Sequence, residues 1–488
     1  MQTSQAPAAP EGAPADRSRS AAATIAFAWI AMLVSYLPFS GVNGALARIG
    51  TDAHAGTADL QWVTDAFTVA LVAAVLAGGW LGDRVGRRRL TLVGLALTVT
   101  CSMIGLIAGI LATTVEPASA AIPLLWLGQA VGGVGAGLVM SATLPLIAVT
   151  ASTPATRDRA VAVWAAANVV GLGAGPFLAG GATAIAGWPI LFAATGFLAL
   201  AALVFGGFGA RESRSPGRPP IDLGGLVTGA VGIVLLVFGV IRAGSDGWTD
   251  AVVRASFAAG AVLLFAFVAL ELRTRHPIVD PRLFRSGTFS AAGIAAAASL
   301  FTMVGLVFVV SISLGRSGVD PSGVALRLGC LFAGNAAASI VAGPLLARVP
   351  APAILVGGLL IAAAGSAALL PLDDLASALG VAWRLVVIGI GCGLTVATAA
   401  AMAVRSVPPE RSGMAGVANN TLRQSGGALG AAIVGAVFAT SLGVNTASAA
   451  PVALAAGLHA SASLLVTVIV ATAVISTVLM APIRRSTS

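Results

Sequence analysis

Apolar stretches long enough to cross a bilayer recur along the whole chain, and no other feature constrains its fold as tightly. They fall at roughly 23–47, 60–81, 90–112, 121–147, 161–185, 189–209, 222–242, 251–271, 288–314, 325–346, 352–371, 378–404, 415–441 and 457–480. Each holds at least about 18 residues, the length an α-helix needs to span the hydrocarbon core. The expected fold is an all-α polytopic membrane protein with about fourteen transmembrane helices. Long period-two alternation, the mark of a barrel strand, is absent. Hydrophobic residues make up 58% of the chain and charged residues 9%, against about 25% charged in soluble domains. So few charges cannot cover a water-facing surface, which excludes a cytosolic enzyme, a secreted disulfide scaffold and a disordered tail protein. Met1–Ser20 is polar and rich in Ala, Pro and Ser, and is expected to be disordered. It does not read as a signal peptide, because the apolar run after it is too long and lacks a convincing cleavage site.

The net charge is +9, and all 27 basic residues are arginine. In a soluble protein this would point to nucleic acid; here the arginines sit in short loops, where they set orientation. Assigning alternate loops to the inside, starting with the N-terminus, places the clusters at Arg84–Arg89, Arg157–Arg159, Arg211–Arg218, Arg273–Arg285, Arg405–Arg411 and Arg484–Arg485 inside. Arg48, Arg242, Arg254, Arg316, Arg327 and Arg384 fall outside, and Arg423 lies within a span. The bias is roughly threefold. Both termini are therefore expected in the cytoplasm, with the chain in the inner (plasma) membrane of a prokaryote. Cys101, Cys330 and Cys392 lie in apolar runs, so neither a disulfide framework nor a metal site is expected. No nucleophile–base set, phosphate loop or metal cluster is present. No enzymatic activity and no cofactor are expected, and energy must come from a gradient.

An internal repeat shows in two glycine runs. The fourth apolar run holds Gly133-Val-Gly135-Ala-Gly137, the twelfth Gly389-Ile-Gly391-Cys-Gly393. Each is followed by a polar loop that begins near a proline, Pro154-Ala-Thr-Arg157 and Pro408-Pro-Glu-Arg411. The chain reads as a tail (1–22), a six-helix bundle (23–210), linker loops with two inserted helices (211–287), a second six-helix bundle (288–482) and a short tail (483–488). Duplicated halves that meet at a midplane site are a transporter design.

Gly79-Trp-Leu-Gly82-Asp83-Arg84-Val-Gly86-Arg87-Arg88-Arg89 lies between the second and third runs. It resembles the G-x-L-x-D-R-x-G-R-R-R loop signature of the major facilitator superfamily. Glycines there allow a tight turn, Asp83 suits a helix N-terminus, and the arginines can pair with loop carboxylates such as Asp158. Gly79, Asp83, Arg84, Gly86, Arg87 and Arg88 are thus expected to form a conformational latch. The second half has only Gly343-Pro-Leu-Leu-Ala347-Arg348, without the acid. Gly171-Leu-Gly-Ala-Gly175-Pro176-Phe-Leu-Ala179-Gly180 resembles the G-x-x-x-G-P-x-x-G-G motif of antiporters in this superfamily, with Ala179 replacing one glycine. Gly171, Gly175, Pro176 and Gly180 are expected to form a tightly packed hinge. Leu60-Gln-Trp-Val-Thr-Asp65, Asp222-Leu-Gly-Gly, His276-Pro277 and Val407-Pro-Pro-Glu-Arg-Ser-Gly413, continuing to Gly427, resemble the fourteen-helix drug:proton antiporter branch. The resemblance implies efflux of amphipathic, often cationic, organic compounds by alternating access, in exchange for protons.

Two positions depart from that branch. Leu37-Pro38-Phe39-Ser40-Gly41-Val42-Asn43 has a proline where the branch carries an acid, and Gln129 replaces an arginine. Both changes remove a charge from the membrane interior and leave antiport open to question. Asp65 then becomes the leading proton or cation site, about 7–8 Å below the outer end of its helix. A carboxylate at that depth costs several kcal/mol unless paired, hydrated or protonated; the alternative is an acid hydrated at the outer mouth. Arg423 is the other deep charge, read as either a structural group at the cytoplasmic gate or a substrate contact. Asn43, Trp126, Gln129, Asn168, Asn335 and Asn420 are further candidates for a substrate cavity. Trp29 and Trp164 are deep enough to join them, while Trp62, Trp188, Trp248 and Trp383 are expected in the interfacial belt. The expected partners are a small-molecule substrate, possible protons and the bilayer, with no nucleic acid. The alternatives are an exporter of a metabolite or lipid without proton coupling, and a membrane sensor that has lost transport.

Overall fold

A computed structural model of the chain describes residues 14–115, 117–151, 153–213, 222–274, 277–372, 377–407, 412–442 and 451–481. Fifteen α-helices run through these residues, and no strand occurs among them. The first two, α1 (Pro14–Ser35) and α2 (Leu37–Asp52), follow one another across a single bilayer-length stretch, Ala21–Asp52. The expected first run, 23–47, is therefore one crossing in two pieces. Pro38 is the cause: it has no N–H to donate back into α1, so the ladder stops at Tyr36 and restarts.

The remaining helices are α3 (Thr57–Val85), α4 (Arg87–Thr114), α5 (Ala121–Thr150), α6 (Pro154–Ala186), α7 (Pro189–Gly209), α8 (Leu223–Asp246), α9 (Ala251–Arg273), α10 (Gly287–Arg316), α11 (Pro321–Leu346), α12 (Ala351–Ala367), α13 (Ala378–Arg405), α14 (Ser412–Leu442) and α15 (Pro451–Met480). Among the described residues, thirteen stretches are long and apolar enough to cross a membrane, and α12 is a shorter apolar helix. Many of the helices start on a side-chain oxygen that satisfies a free backbone N–H. Asp222, Asp250, Asp320 and Ser377 do this for α8, α9, α11 and α13.

Lipid and protein interior are equally apolar, so close backbone approach has to hold such helices together. The two glycine runs supply it in parallel. On α5, Gly133 and Gly137 press against backbone carbonyls of Phe67 and Leu71 in α3, while Gly135 meets Gly94 of α4. On α13, Gly389 and Gly393 press against carbonyls of Leu331 and Asn335 in α11, while Gly391 meets Gly358 and Ala362 of α12. In each run the outer glycines serve one neighbour and the middle glycine another. α1–α7 pack among themselves, as do α10–α15, and the pairs α2–α10, α6–α11 and α3–α14 join the two sets. The inserted helices α8 and α9 pack on each other, and α8 also lies against α3 and α14. Val237, Val240 and Ile241 of α8 form a buried cluster there with Val69, Val72, Ala428 and Ala432.

Two expectations about position change. The Gly79–Gly86 segment is mostly not a loop: α3 continues to Val85, and Gly86 alone makes the turn, at φ +113°. Trp188 is fully buried, with its indole donating to Asp52 at 3.2 Å; it is a core residue rather than a belt residue. Trp248 and Trp383 are exposed, as expected at an interface.

Candidate functional site

A chamber lies between the two sets of helices. Its wall draws on Tyr36 at the α1–α2 break and on α2, α3, α6, α10, α11 and α14. Phe39, Phe67, Leu300, Val304 and Phe332 give it aromatic and aliphatic faces. Its polar groups are few: Tyr36, Ser40, Asn43, Thr68, Asn168, Arg423 and Gln424. Such a mix suits an apolar ligand body steered by a handful of polar contacts.

The break at Tyr36 shapes this site. It turns the Tyr36 ring inward, where the hydroxyl accepts from Gln424 Nε2 at 2.8 Å. Ser40 donates to the carbonyls of Tyr36 and Gly171, both at 3.0 Å. Asn43 donates to Phe39 O at 2.8 Å and accepts from Thr64 at 3.3 Å. The Phe39 and Phe67 rings stack with centroids 4.8 Å apart. Arg423 donates from Nη2 to Asn420 Oδ1 at 2.8 Å, and its buried Nε has no acceptor among the described residues.

Of the expected cavity residues, Asn43, Asn168 and Arg423 line the chamber, as does Pro176 of the hinge motif. Asn420 stands one step back, holding Arg423 and donating to Met140 Sδ at 2.9 Å. Asn335 is buried against Met303 Sδ at 3.2 Å, outside the lining. Gln129 is buried with its Oε1 unpartnered, also outside the lining. Trp126 donates to Asp59 O at 3.0 Å and stands near Trp62; Trp29 and Trp164 bond to Ala160 O and Thr143. None of the three tryptophans reaches the chamber. Tyr36, Phe67 and Met303 were missed from the sequence. Tyr36 carried one signal, being the only tyrosine in the chain.

Asp65 is fully buried beside the chamber rather than on its wall. Neither carboxylate oxygen makes a well-formed hydrogen bond among the described residues, and the Gln61 amide is the polar group beside it. One turn before it, Gln61 donates to Ala432 O at 2.7 Å; one turn after it, Val69 packs on Ala428 and Ala432. This face of α3 is therefore the seam with α14.

The hinge glycines are contact points. Gly171 meets the Leu33 carbonyl, Gly175 meets Ser40 and Gly41, and Gly180 sits against Pro321 and Ser322 of α11. α6 runs unbroken through Pro176. At the α3–α4 corner, backbone N–H groups of Arg88 and Arg89 donate to the two oxygens of Glu212 at 3.0 and 3.2 Å, and Arg87 N–H donates to Ser213 O at 2.9 Å. Arg88 also donates to Gly206 O at 3.1 Å and to Gly207 O, and Arg87 to Pro145 O at 3.4 Å. The anion at the α4 N-terminus is thus Glu212, for which the signal in the sequence was an acid set between Arg211 and Arg214 in the linker. The side chains of Asp83 and Asp158, and the Pro408–Arg411 loop, lie outside the described residues.

Membrane-length helices in two sets around a central chamber define a secondary-transporter architecture. Residues 28–431 match the Major Facilitator Superfamily, and the chain belongs to that family. It is 30% identical over 400 residues to the tetracenomycin C resistance and export protein of Streptomyces glaucescens, covering 81% of this chain and 72% of that one. It is 29% identical over 423 residues to the multidrug efflux pump LfrA of Mycolicibacterium smegmatis, covering 84% and 81%. A crystal structure of a POT family transporter in complex with 5-aminolevulinic acid shares the fold, with TM-score 0.66, 12% identity and coverage of 93% and 96%. The xylose transporter XylE from E. coli shares it with TM-score 0.61, 13% identity and coverage of 92% and 96%. The protein is a multi-pass membrane transporter of a family whose similar members export drugs and antibiotics.

Proposed function

We propose that the chain exports amphipathic organic compounds across the plasma membrane by alternating access, with both termini in the cytoplasm. Residues 23–210 and 288–482 rock as two bodies about the chamber, and 211–287 carry the inserted pair. The observation that carries this reading is the chamber itself, shared by both helix sets and walled by aromatic and aliphatic groups. The relatives named for export support the direction.

Asp65 is the proposed proton carrier. Sealed in the α3–α14 seam with only the Gln61 amide beside it, an ionised carboxylate would be costly, so it keeps its proton while the seam is shut. Parting of α3 from α14 wets it and frees the proton. Purified protein in vesicles tests this. Wild type should accumulate substrate in response to an imposed pH gradient. Asp65→Asn should lose that accumulation while retaining substrate exchange without a gradient. Gradient-driven uptake by Asp65→Asn with unchanged pH dependence overturns the assignment. A second reading, export without proton coupling, is favoured by Pro38 standing where the branch carries an acid. It is the reading to adopt if wild-type exchange is insensitive to the gradient.

A further inference from the structure

The charge of the chamber points to the kind of molecule it holds. Its lining contains one guanidinium, that of Arg423, and no carboxylate. Arg423 pairs with a neutral amide oxygen, and no acid lies within ion-pair distance of it among the described residues. Among the polar atoms of the lining, Arg423 Nε is buried without a partner among the described residues, and Asn168 Nδ2 is buried with no well-formed hydrogen bond, the Tyr36 hydroxyl being its polar neighbour. Both are donors, and they come from opposite helix sets, α14 and α6. Asp65, the acid that would attract a cation, faces the α3–α14 seam instead.

A cation kept from bulk water without a counter-charge is expensive, and unfilled donors are best met by a charged acceptor. We infer that the chamber takes an acidic amphiphile: an aromatic or aliphatic body carrying one carboxylate or acidic enol, with its anionic oxygens on Arg423 and Asn168. The body lies between Phe39, Phe67 and Phe332. Because the two donors sit on different halves, the anion bridges them, and the loaded state binds the halves more tightly than the empty one. This specifies the substrate class of the proposed exporter and rests on that reading.

The test uses three probes with one ring system and one chain length: 1-pyrenebutyrate, its primary amide and 4-(1-pyrenyl)butylamine. Binding to purified full-length protein at neutral pH is read by energy transfer from tryptophan, and exchange is read in vesicles. Wild type should bind the acid about tenfold more tightly than the amide, and the amine most weakly. Arg423→Gln should erase the preference of acid over amide and leave amide binding within about twofold. Arg423→Lys, which keeps the charge and loses the planar fork, should retain part of the preference. Equal wild-type affinity for acid and amide, a preference for the amine, or binding of none of the three overturns the inference, and these readings need no variant to fold. Exchange of the amine without the acid would leave the export reading standing and remove only the anion assignment. An equal loss for all three probes in both variants assigns Arg423 to structure and overturns it as well.

Discussion

The two halves close the same corner with different chemistry. Between α3 and α4 the turn is a single glycine at φ +113°, and the Glu212 carboxylate from the linker after α7 sits on the exposed N–H groups of α4. A side chain at Gly86 would meet that carboxylate at 2.5 Å. Between α11 and α12 the chain turns through Ala347–Pro350 on backbone bonds, such as Arg348 N–H to Leu345 O at 2.9 Å, with no carboxylate on the turn among the described residues, and Arg348 is exposed. Yet the glycine runs that seat α5 and α13 are equivalent helix for helix, the outer glycines meeting one neighbour and the middle glycine the other. Steric packing has therefore been kept in both halves, while among the described residues an electrostatic fastening is seen in one. The first half is tied through Glu212 to the linker, whose Arg211 N–H also donates to Thr24 of α1 at 2.9 Å. Movement at that corner must carry the linker with it.

The largest effects should fall where the halves agree. Gly133→Ala and Gly389→Ala each drive a Cβ into a backbone carbonyl, of Phe67 and of Leu331. Each should destabilise the detergent-solubilised protein by about 1–3 kcal/mol or more, read as a lower thermal midpoint. A large loss in one and none in the other would break the equivalence. Next comes Gly86→Ala, which meets both an unfavourable φ and the Glu212 carboxylate and should cost about 1–3 kcal/mol. Ala347→Ser in the other corner should change little.

Glu212→Gln keeps the shape but weakens the charge-assisted bonds and the contact with Arg89 at 3.8 Å. A loss of about 0.5–2 kcal/mol is expected, together with faster labelling of a single cysteine placed at the α3–α4 corner. Arg348→Gln should be close to neutral in both measurements. If the two variants behave alike, the fastening is not one-sided. The smallest effect concerns Gln129, whose repeat counterpart on α13 is the buried Leu385. Its Oε1 has no partner, so Gln129→Leu should be neutral or stabilising by up to about 1 kcal/mol. A strong loss of stability or of exchange would show that Gln129 holds a group which α13 does not need.

Much of this architecture was legible along the chain. A bilayer forces backbone groups to bond within their own segment, so apolar length alone marks a helix, and thirteen of the fourteen expected runs correspond to a bilayer-length stretch. The fourteenth, at 352–371, is the shorter α12. Glycine spacing is equally local, which is why the repeat could be read directly. The break at Tyr36 was also implicit in Pro38, since a missing N–H acts on its own helix.

What the tertiary structure alone decided is which way each helix faces. In a soluble protein the apolar stripe fixes a helix's rotation; in lipid the outside is as apolar as the inside, and the pattern carries no such instruction. Asp65, Gln129 and Asn168 are all deep polar residues, yet only Asn168 reaches the chamber. Tyr36 reaches it because its helix breaks, and Gln424 reaches it to meet Tyr36. Glu212 meets an N–H group 123 residues away in the chain. The sequence determined how many helices cross and where they touch closely; rotation and long-range closure determined which of their polar groups share a chamber or a corner.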